Sequence, residues 1–199
     1  MRLHAAVFVI AASIAAPAMA APQVGQPAPD FTLTDSVGKT QHLADYRGKF
    51  VVLEWTNNEC PFVRKHYGSG NMQALQKEET AQGVAWLSII SSAPGKEGFV
   101  TGEHANELTK ARGAAPTAVL LDPTGAVGHL YEARTTPHMF IVDPKGTLIY
   151  MGGIDSIASA DAADIKSAKP YVKVALSEAR SGKPVTDAVT RPYGCHVQY

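Results

Sequence analysis

Runs of apolar residues alternate with short polar breaks along most of the chain. Phe31-Thr32-Leu33-Thr34 alternates apolar and polar side chains, the two-residue period of a strand, and Ser36-Val37-Gly38-Lys39 follows as a turn. Phe50-Val51-Val52-Leu53-Glu54-Trp55 is rich in β-branched and aromatic residues and predicts a central strand buried on both faces. Thr56-Asn57-Asn58-Glu59 interrupts that run. Pro61 then opens a helix, because its missing N–H costs nothing at the first helical position. Helical spacing continues to about residue 79, with Gly68 and Gly70 predicting a kink or break near 70. Strands are expected over 84–90 and 118–122, with a helix over 103–112 between them. Segments 139–142 and 148–151 flank Asp143-Pro144-Lys145-Gly146 and predict a hairpin. A last helix is expected from about 160 to 180, followed by a tail of Gly, Pro and polar residues that carries Cys195. Strands and helices in this order predict an α/β fold, a mixed central sheet flanked by helices.

With 199 residues, the chain has the length of one ordinary domain. Its first twenty residues are set apart. Met1-Arg2-Leu3-His4 is a short positive start, 5–16 is an apolar run, and Ala18-Met19-Ala20 is a small-x-small site. Together they predict a signal peptide over 1–20, cleaved before Ala21, and a mature domain over 21–199 that is periplasmic or secreted. The apolar run is shorter than the roughly 20 residues a bilayer needs, and no later segment is expected to span one. The 18 Lys and Arg balance the 18 Asp and Glu, so no basic surplus points to nucleic acid or to anionic lipid.

The two cysteines, Cys60 and Cys195, carry the candidate chemistry. An even number in an exported protein permits a disulfide. Cys60 lies between a strand and a helix-opening proline, where unpaired N–H groups and the positive end of the helix dipole favour thiolate over thiol. Arg64, Lys65 and His66 follow within two turns and add positive potential. A thiolate attacks a disulfide or a peroxide, so Cys60 reads as a redox nucleophile. An inert core cysteine and a purely structural bridge to Cys195 remain the alternatives.

Several ordered motifs now carry a resemblance. Gly25-Gln26-Pro27-Ala28-Pro29-Asp30-Phe31-x-Leu33-x-Asp35-x-x-Gly38-Lys39 resembles the opening segment of redoxins. Asn57-Asn58-Glu59-Cys60-Pro61-Phe62-Val63 is similar to the C-N-H-C-P-[YF]-V motif of their peroxiredoxin-like branch. Thr135-Thr136-Pro137-His138-x-Phe140-x-x-Asp143-x-x-Gly146, Tyr150-x-Gly152-x-Ile154-Asp155 and Pro192-x-Gly194-Cys195-His196-Val197 resemble that branch's later segments, in the same order. The chain thus resembles the alkyl hydroperoxide reductase/thiol-specific antioxidant (redoxin) family of the thioredoxin-like superfamily over nearly its whole mature length.

The resemblance implies a thioredoxin-like fold, a cis Pro137, and a Thr136 backbone exposed beside Cys60 to an extended partner chain. It implies thiol–disulfide oxidoreductase or antioxidant activity on a thiol or disulfide protein partner or a small oxidant, without a cofactor. Two departures matter. The family's first motif cysteine is Asn57 here, and its cysteine before Thr-Pro is Thr135, which leaves Cys195 as the one internal partner; Cys195 or a thiol from another molecule would then resolve the Cys60 adduct. Full peroxiredoxins place Thr or Ser three residues before the reactive cysteine, with a distant Arg. Here that position is Asn57, and Arg134 or Arg64 would have to supply the guanidinium. A soft-metal (copper) module built from Cys60, His66, His138, Cys195 and His196 is the non-catalytic alternative, although no local spacing is diagnostic of a metal.

Overall fold

The computed structural model describes residues 21–199, and the expected signal peptide lies outside the described residues. Among these, seven strands form the main sheet. Its centre is β3 (Val51–Trp55), buried at every position as its apolar run predicts. Parallel to it runs β4 (Ala85–Ile90), and beyond that β5 (Ala118–Leu121). On the other side lie the antiparallel strands β7 (His138–Val142) and β8 (Leu148–Gly152), the expected hairpin. The far edge is the hairpin of β1 (Thr32–Asp35) and β2 (Thr40–His42), with β1 antiparallel to β5.

The pleat of β3 divides the core in two. Leu53 and Trp55 face one layer, where Trp55 and Tyr131 each pack on Phe140 with ring centroids 5.2 and 5.3 Å apart. Val52 faces the other layer, with Trp86, Tyr150, Leu176 and Cys60. Glu54 lies on this second face, fully buried. Its carboxylate accepts from Tyr67 Oη (2.9 Å), Trp86 Nε1 (2.7 Å), Ser88 Oγ (2.9 Å) and Gln76 Nε2 (3.2 Å). Four donors make burial of a carboxyl tolerable.

The helix expected over 61–79 is broken where its glycines predict. α1 (Pro61–Gly68) ends before Gly70, whose φ of 78° only glycine adopts easily, and α2 (Asn71–Ala81) starts after it. α3 (Gly102–Ala111) follows as expected. A short helix, α4 (Ala126–Leu130), was not foreseen. The last expected helix needs correction. Residues Ala162–Lys166 form only a 3₁₀ turn, and α5 (Tyr171–Arg180) begins anew after Pro170. That proline has no N–H to donate and excludes the α conformation at the residue before it. No described helix is long and apolar enough to cross a membrane.

The tail turns back over the domain. Thr190 N donates to Met151 O (3.1 Å), and Gly153 N donates to Thr190 Oγ1 (3.0 Å). Next, β9 (Cys195–His196) pairs antiparallel with β6 (Thr135–Thr136), placing Cys195 opposite Thr136. Further on, Val197 N donates to Arg134 O (3.2 Å) and Ala93 N to Gln198 O (2.9 Å).

Candidate active site

The loop leaving β3 sets Cys60 at the start of α1. Thr56 N donates to Ile89 O (3.0 Å), continuing the sheet one residue past the strand. Asn57 Oδ1 then accepts from Glu59 N (2.8 Å), a side-chain turn typical of asparagine, and Asn57 O accepts from Cys60 N (3.2 Å). Cys60 is the N-cap of α1, with extended φ −65° and ψ 123°, and Pro61 follows it. Its side chain has 0% exposure.

Two segments converge on the Cys60 sulfur, the Thr136–Pro137 turn and the tail. The thiol lies 3.0 Å from the Thr136 carbonyl oxygen, to which it donates. Thr136 is joined to Pro137 by a cis peptide bond. From the tail, both the side chain and the backbone N–H of Cys195 address the sulfur. Both cysteines are free thiols. Burial pushes the Cys60 thiol up, yet its polar surroundings, the facing Cys195 first and Thr136 and the start of α1 after it, outweigh burial and hold Cys60 below the ordinary value. The Thr136 hydroxyl is buried and has no hydrogen-bond partner. Cys195 moves the opposite way: burial, its hydrogen bond to Cys60 and the Cys60 charge all raise it. Of the two sulfurs, Cys60 ionises first.

The positive potential expected from the first turns of α1 is largely turned elsewhere. Lys65 is buried, with Nζ 3.5 Å from Asp155 Oδ2 and donating to Ile157 O (3.2 Å). His66 is buried too, and burial pushes it down to about 4, so it is neutral at pH 7. Tyr193 of the tail donates to Asp155 Oδ1 and lies 3.2 Å from His66 Nε2. Asn71 Nδ2 sits 2.9 Å from His66 Nδ1. Only Arg64 stays on the loop side, its Nε donating to Asn58 O (3.0 Å). Lys65 and His66 are thus engaged by Asp155, Ile157, Asn71 and Tyr193.

The peroxide-orienting set is not assembled. Asn57 spends its side chain on Glu59 N and on Glu97 Oε1 (3.3 Å). The Arg134 side chain is 73% exposed and reaches Glu132 (3.5 Å), so the expected approach to the thiolate is corrected. His138 is buried beside Pro137, accepts from Arg134 N at Nδ1 (3.3 Å), and is pushed by burial down to about 3. Among the described residues no three His, Cys, Asp or Glu side chains come together to hold a metal ion. The exposed Thr136 backbone is also corrected, since Cys195 already pairs with it. Three features escaped the sequence reading: the buried Glu54 cluster, the buried Lys65–Asp155–Tyr193 contact and the half-buried Tyr199 ring, which stacks on His129. Their partners lie far apart in sequence, so no local pattern marks them.

Comparison with known proteins matches this geometry. Thiol-disulfide oxidoreductase ResA of Geobacillus kaustophilus is 29% identical over 124 residues, covering 62% of this chain and 65% of that protein, just under two thirds of its length. The crystal structure of an uncharacterized conserved protein from Geobacillus kaustophilus superposes with a TM-score of 0.75 at 23% identity, covering 89% of this chain and 92% of that one. The thioredoxin domain of a thiol-disulfide oxidoreductase from Bacteroides vulgatus superposes with a TM-score of 0.52 at 20% identity, covering 73% and 96%. The fold is thioredoxin-like, and the AhpC/TSA family profile matches residues 24–151, from the turn before β1 to the end of the β7–β8 hairpin. The chain belongs to the AhpC/TSA family.

Proposed function

We propose that this protein is an exported thiol–disulfide oxidoreductase in which Cys60 is the nucleophile and Cys195 the resolving thiol. The observation that carries the reading is the pairing of β9 with β6, which sets Cys195 opposite Thr136, whose carbonyl oxygen lies 3.0 Å from the buried Cys60 sulfur at the start of α1. Among the relatives, the ResA protein named above is a thiol–disulfide oxidoreductase. Export rests on the leader-like pattern of 1–20.

In the proposed cycle the Cys60 thiolate attacks one sulfur of a partner disulfide. A Cys60–partner bond forms, the partner's S–S bond breaks, and the second partner sulfur leaves as thiolate. Cys195 gives up its proton and attacks Cys60 Sγ, releasing the first partner sulfur. The partner gains two electrons as a dithiol, and this chain becomes the Cys60–Cys195 disulfide. A small oxidant would enter at the same sulfur. A peroxidase reading has less support, because Asn57 and Arg134 are engaged elsewhere.

The test is the rate of thiol alkylation against pH, with the labelled cysteine identified by mass. Cys60 should react with a midpoint below about 8.5, the value of an unperturbed thiol. Replacing Cys195 by Ala removes a donor and should move that midpoint up, and Cys60→Ser should abolish the low-pH phase. A midpoint at or above the ordinary value in the unsubstituted protein would remove the redox assignment.

A further inference from the structure

The tail occupies the one place where an external partner would have to lie. The Cys60 sulfur has no exposure, and β9 is paired along β6 with Cys195 facing Thr136. An extended polypeptide bringing its own sulfur to Cys60 needs that same backbone edge. Tail and partner therefore exclude each other, and the strength of the tail's seat sets how often a partner gains access.

Tyr199 is the part of that seat with the most specific fit. Its ring stacks on His129 with centroids 3.9 Å apart and planes inclined by 24°. Its hydroxyl donates to Ala133 O (2.7 Å). The ring lies where two glycines leave room. A Cβ at Gly125 would stand 2.4 Å from Tyr199 Cδ1, and one at Gly128 would stand 2.4 Å from Cε1. Gly194 plays the matching part at the other end, where a Cβ would stand 2.0 Å from Thr136 O. Between these fixed ends the tail contributes a two-residue ladder and two further backbone hydrogen bonds.

We propose that Tyr199 is the latch of a C-terminal strap, and that release of this strap admits an extended, disulfide-bearing polypeptide to Cys60 and to the Thr135–Thr136 edge. This rests on the reading of Cys60 as the nucleophile. Tyr199 thereby acts as a specificity-determining residue for polypeptide substrates. It is a positioning residue, since it touches neither sulfur. A small disulfide also needs the sulfur uncovered, but a local movement of Cys195 suffices for it without release of the strand edge, so it depends less on the latch. The strap also carries Cys195, so an open strap slows resolution while it speeds capture.

The experiment uses the 21–199 chain, reduced, in three forms: unsubstituted, Tyr199→Ala and Tyr199→Phe. Hydrogen exchange is followed at the Val197 and Ala93 amides. Reaction rates are measured with a disulfide-bonded extended peptide and with 5,5′-dithiobis(2-nitrobenzoate), and the modified cysteine is identified by mass. In Tyr199→Ala both amides should exchange about tenfold faster or more, as expected from losing a ring contact and a hydrogen bond. Peptide-disulfide capture should rise by a similar factor, the small disulfide should rise much less, and the peptide–Cys60 mixed disulfide should accumulate. Tyr199→Phe keeps the ring and should stay within about threefold of the unsubstituted chain, since one hydrogen bond is lost. Unchanged exchange in Tyr199→Ala would overturn the latch. Faster exchange with unchanged peptide capture, or an equal rise for both disulfides, would overturn the control of the strand edge. If Cys60 stays unmodified by the small disulfide in every form, the nucleophile reading fails and the latch falls with it.

Discussion

Two buried histidines make the stability of this fold sensitive to mild acid. His66 and His138 are held neutral, pushed by burial to about 4 and about 3 from an ordinary 6.5. His138 accepts the Arg134 N–H at Nδ1, so a second proton there would replace an acceptor by a donor facing a donor. At His66, Asp155 favours the extra proton while nearby Lys65 opposes it. The sign follows from which state binds more protons. Below pH 6.5 the unfolded chain takes up protons at both rings and the folded chain does not, so stability falls as pH falls. At about 1.4 kcal/mol per pH unit, lowering the pH from 7.5 to 4.5 costs on the order of 2 to 3 kcal/mol for each histidine. The sum, about 5 kcal/mol, is a large part of the roughly 5–15 kcal/mol that holds a domain of this size.

Other groups titrate over the same range. Glu54 acts in the opposite direction, since burial raises it and protonation favours the folded state. The informative quantity is therefore a difference between proteins. Urea unfolding of the unsubstituted chain, His66→Gln and His138→Gln is measured at pH 7.5 and 4.5. Each variant should lose on the order of 2 to 3 kcal/mol less than the parent between the two pH values, whatever its stability at pH 7.5. Parallel pH dependences in all three would show that the rings are not held neutral. Ring-proton titration midpoints near 6.5 would show the same.

Two further outcomes follow from the packing. Glu54→Ala removes the acceptor of four buried donors and should destabilise by about 3 kcal/mol or more in urea unfolding; a loss below about 1 kcal/mol would mean that water or rearrangement satisfies them. Gly194→Ala introduces a Cβ against the Thr136 carbonyl at a φ of 138° and should unseat β9. Diamide oxidation should then form the Cys60–Cys195 disulfide about tenfold more slowly, as effective concentration falls, and an unchanged rate would mean that the tail does not need its pairing.

What the sequence disclosed follows the range of the interactions involved. β3 was legible because every one of its side chains is buried, so the run carries no polar alternation. The strand–Cys60–Pro61 junction was legible because proline marks a helix start by its own covalent structure. The break at Gly70 was legible for the same kind of reason, while the helix expected over 160–180 runs across Pro170, where the structure starts α5 anew. Asn57 shows how a site position can be read too ambitiously. Its place three residues before Cys60 drew attention to chemistry, but an asparagine there satisfies its own loop first.

The electrostatics and the tail lay beyond any local pattern. Sequence puts Lys65 and His66 near the start of a helix, but whether their charge reaches Cys60 depends on Asp155 and Tyr193, which arrive from β8's far end and from the tail. β6 and β9 pair through backbone groups that every residue possesses, so a two-residue ladder joining Thr136 to Cys195 leaves no compositional trace. The most informative local sign was Gly194, next to the second cysteine. Any side chain there would strike Thr136, so glycine permits the close approach that brings Cys195 to Cys60. The sulfur pair is thus a product of backbone fit between two short strands, with Cys60 set at the start of α1 by the loop that leaves β3.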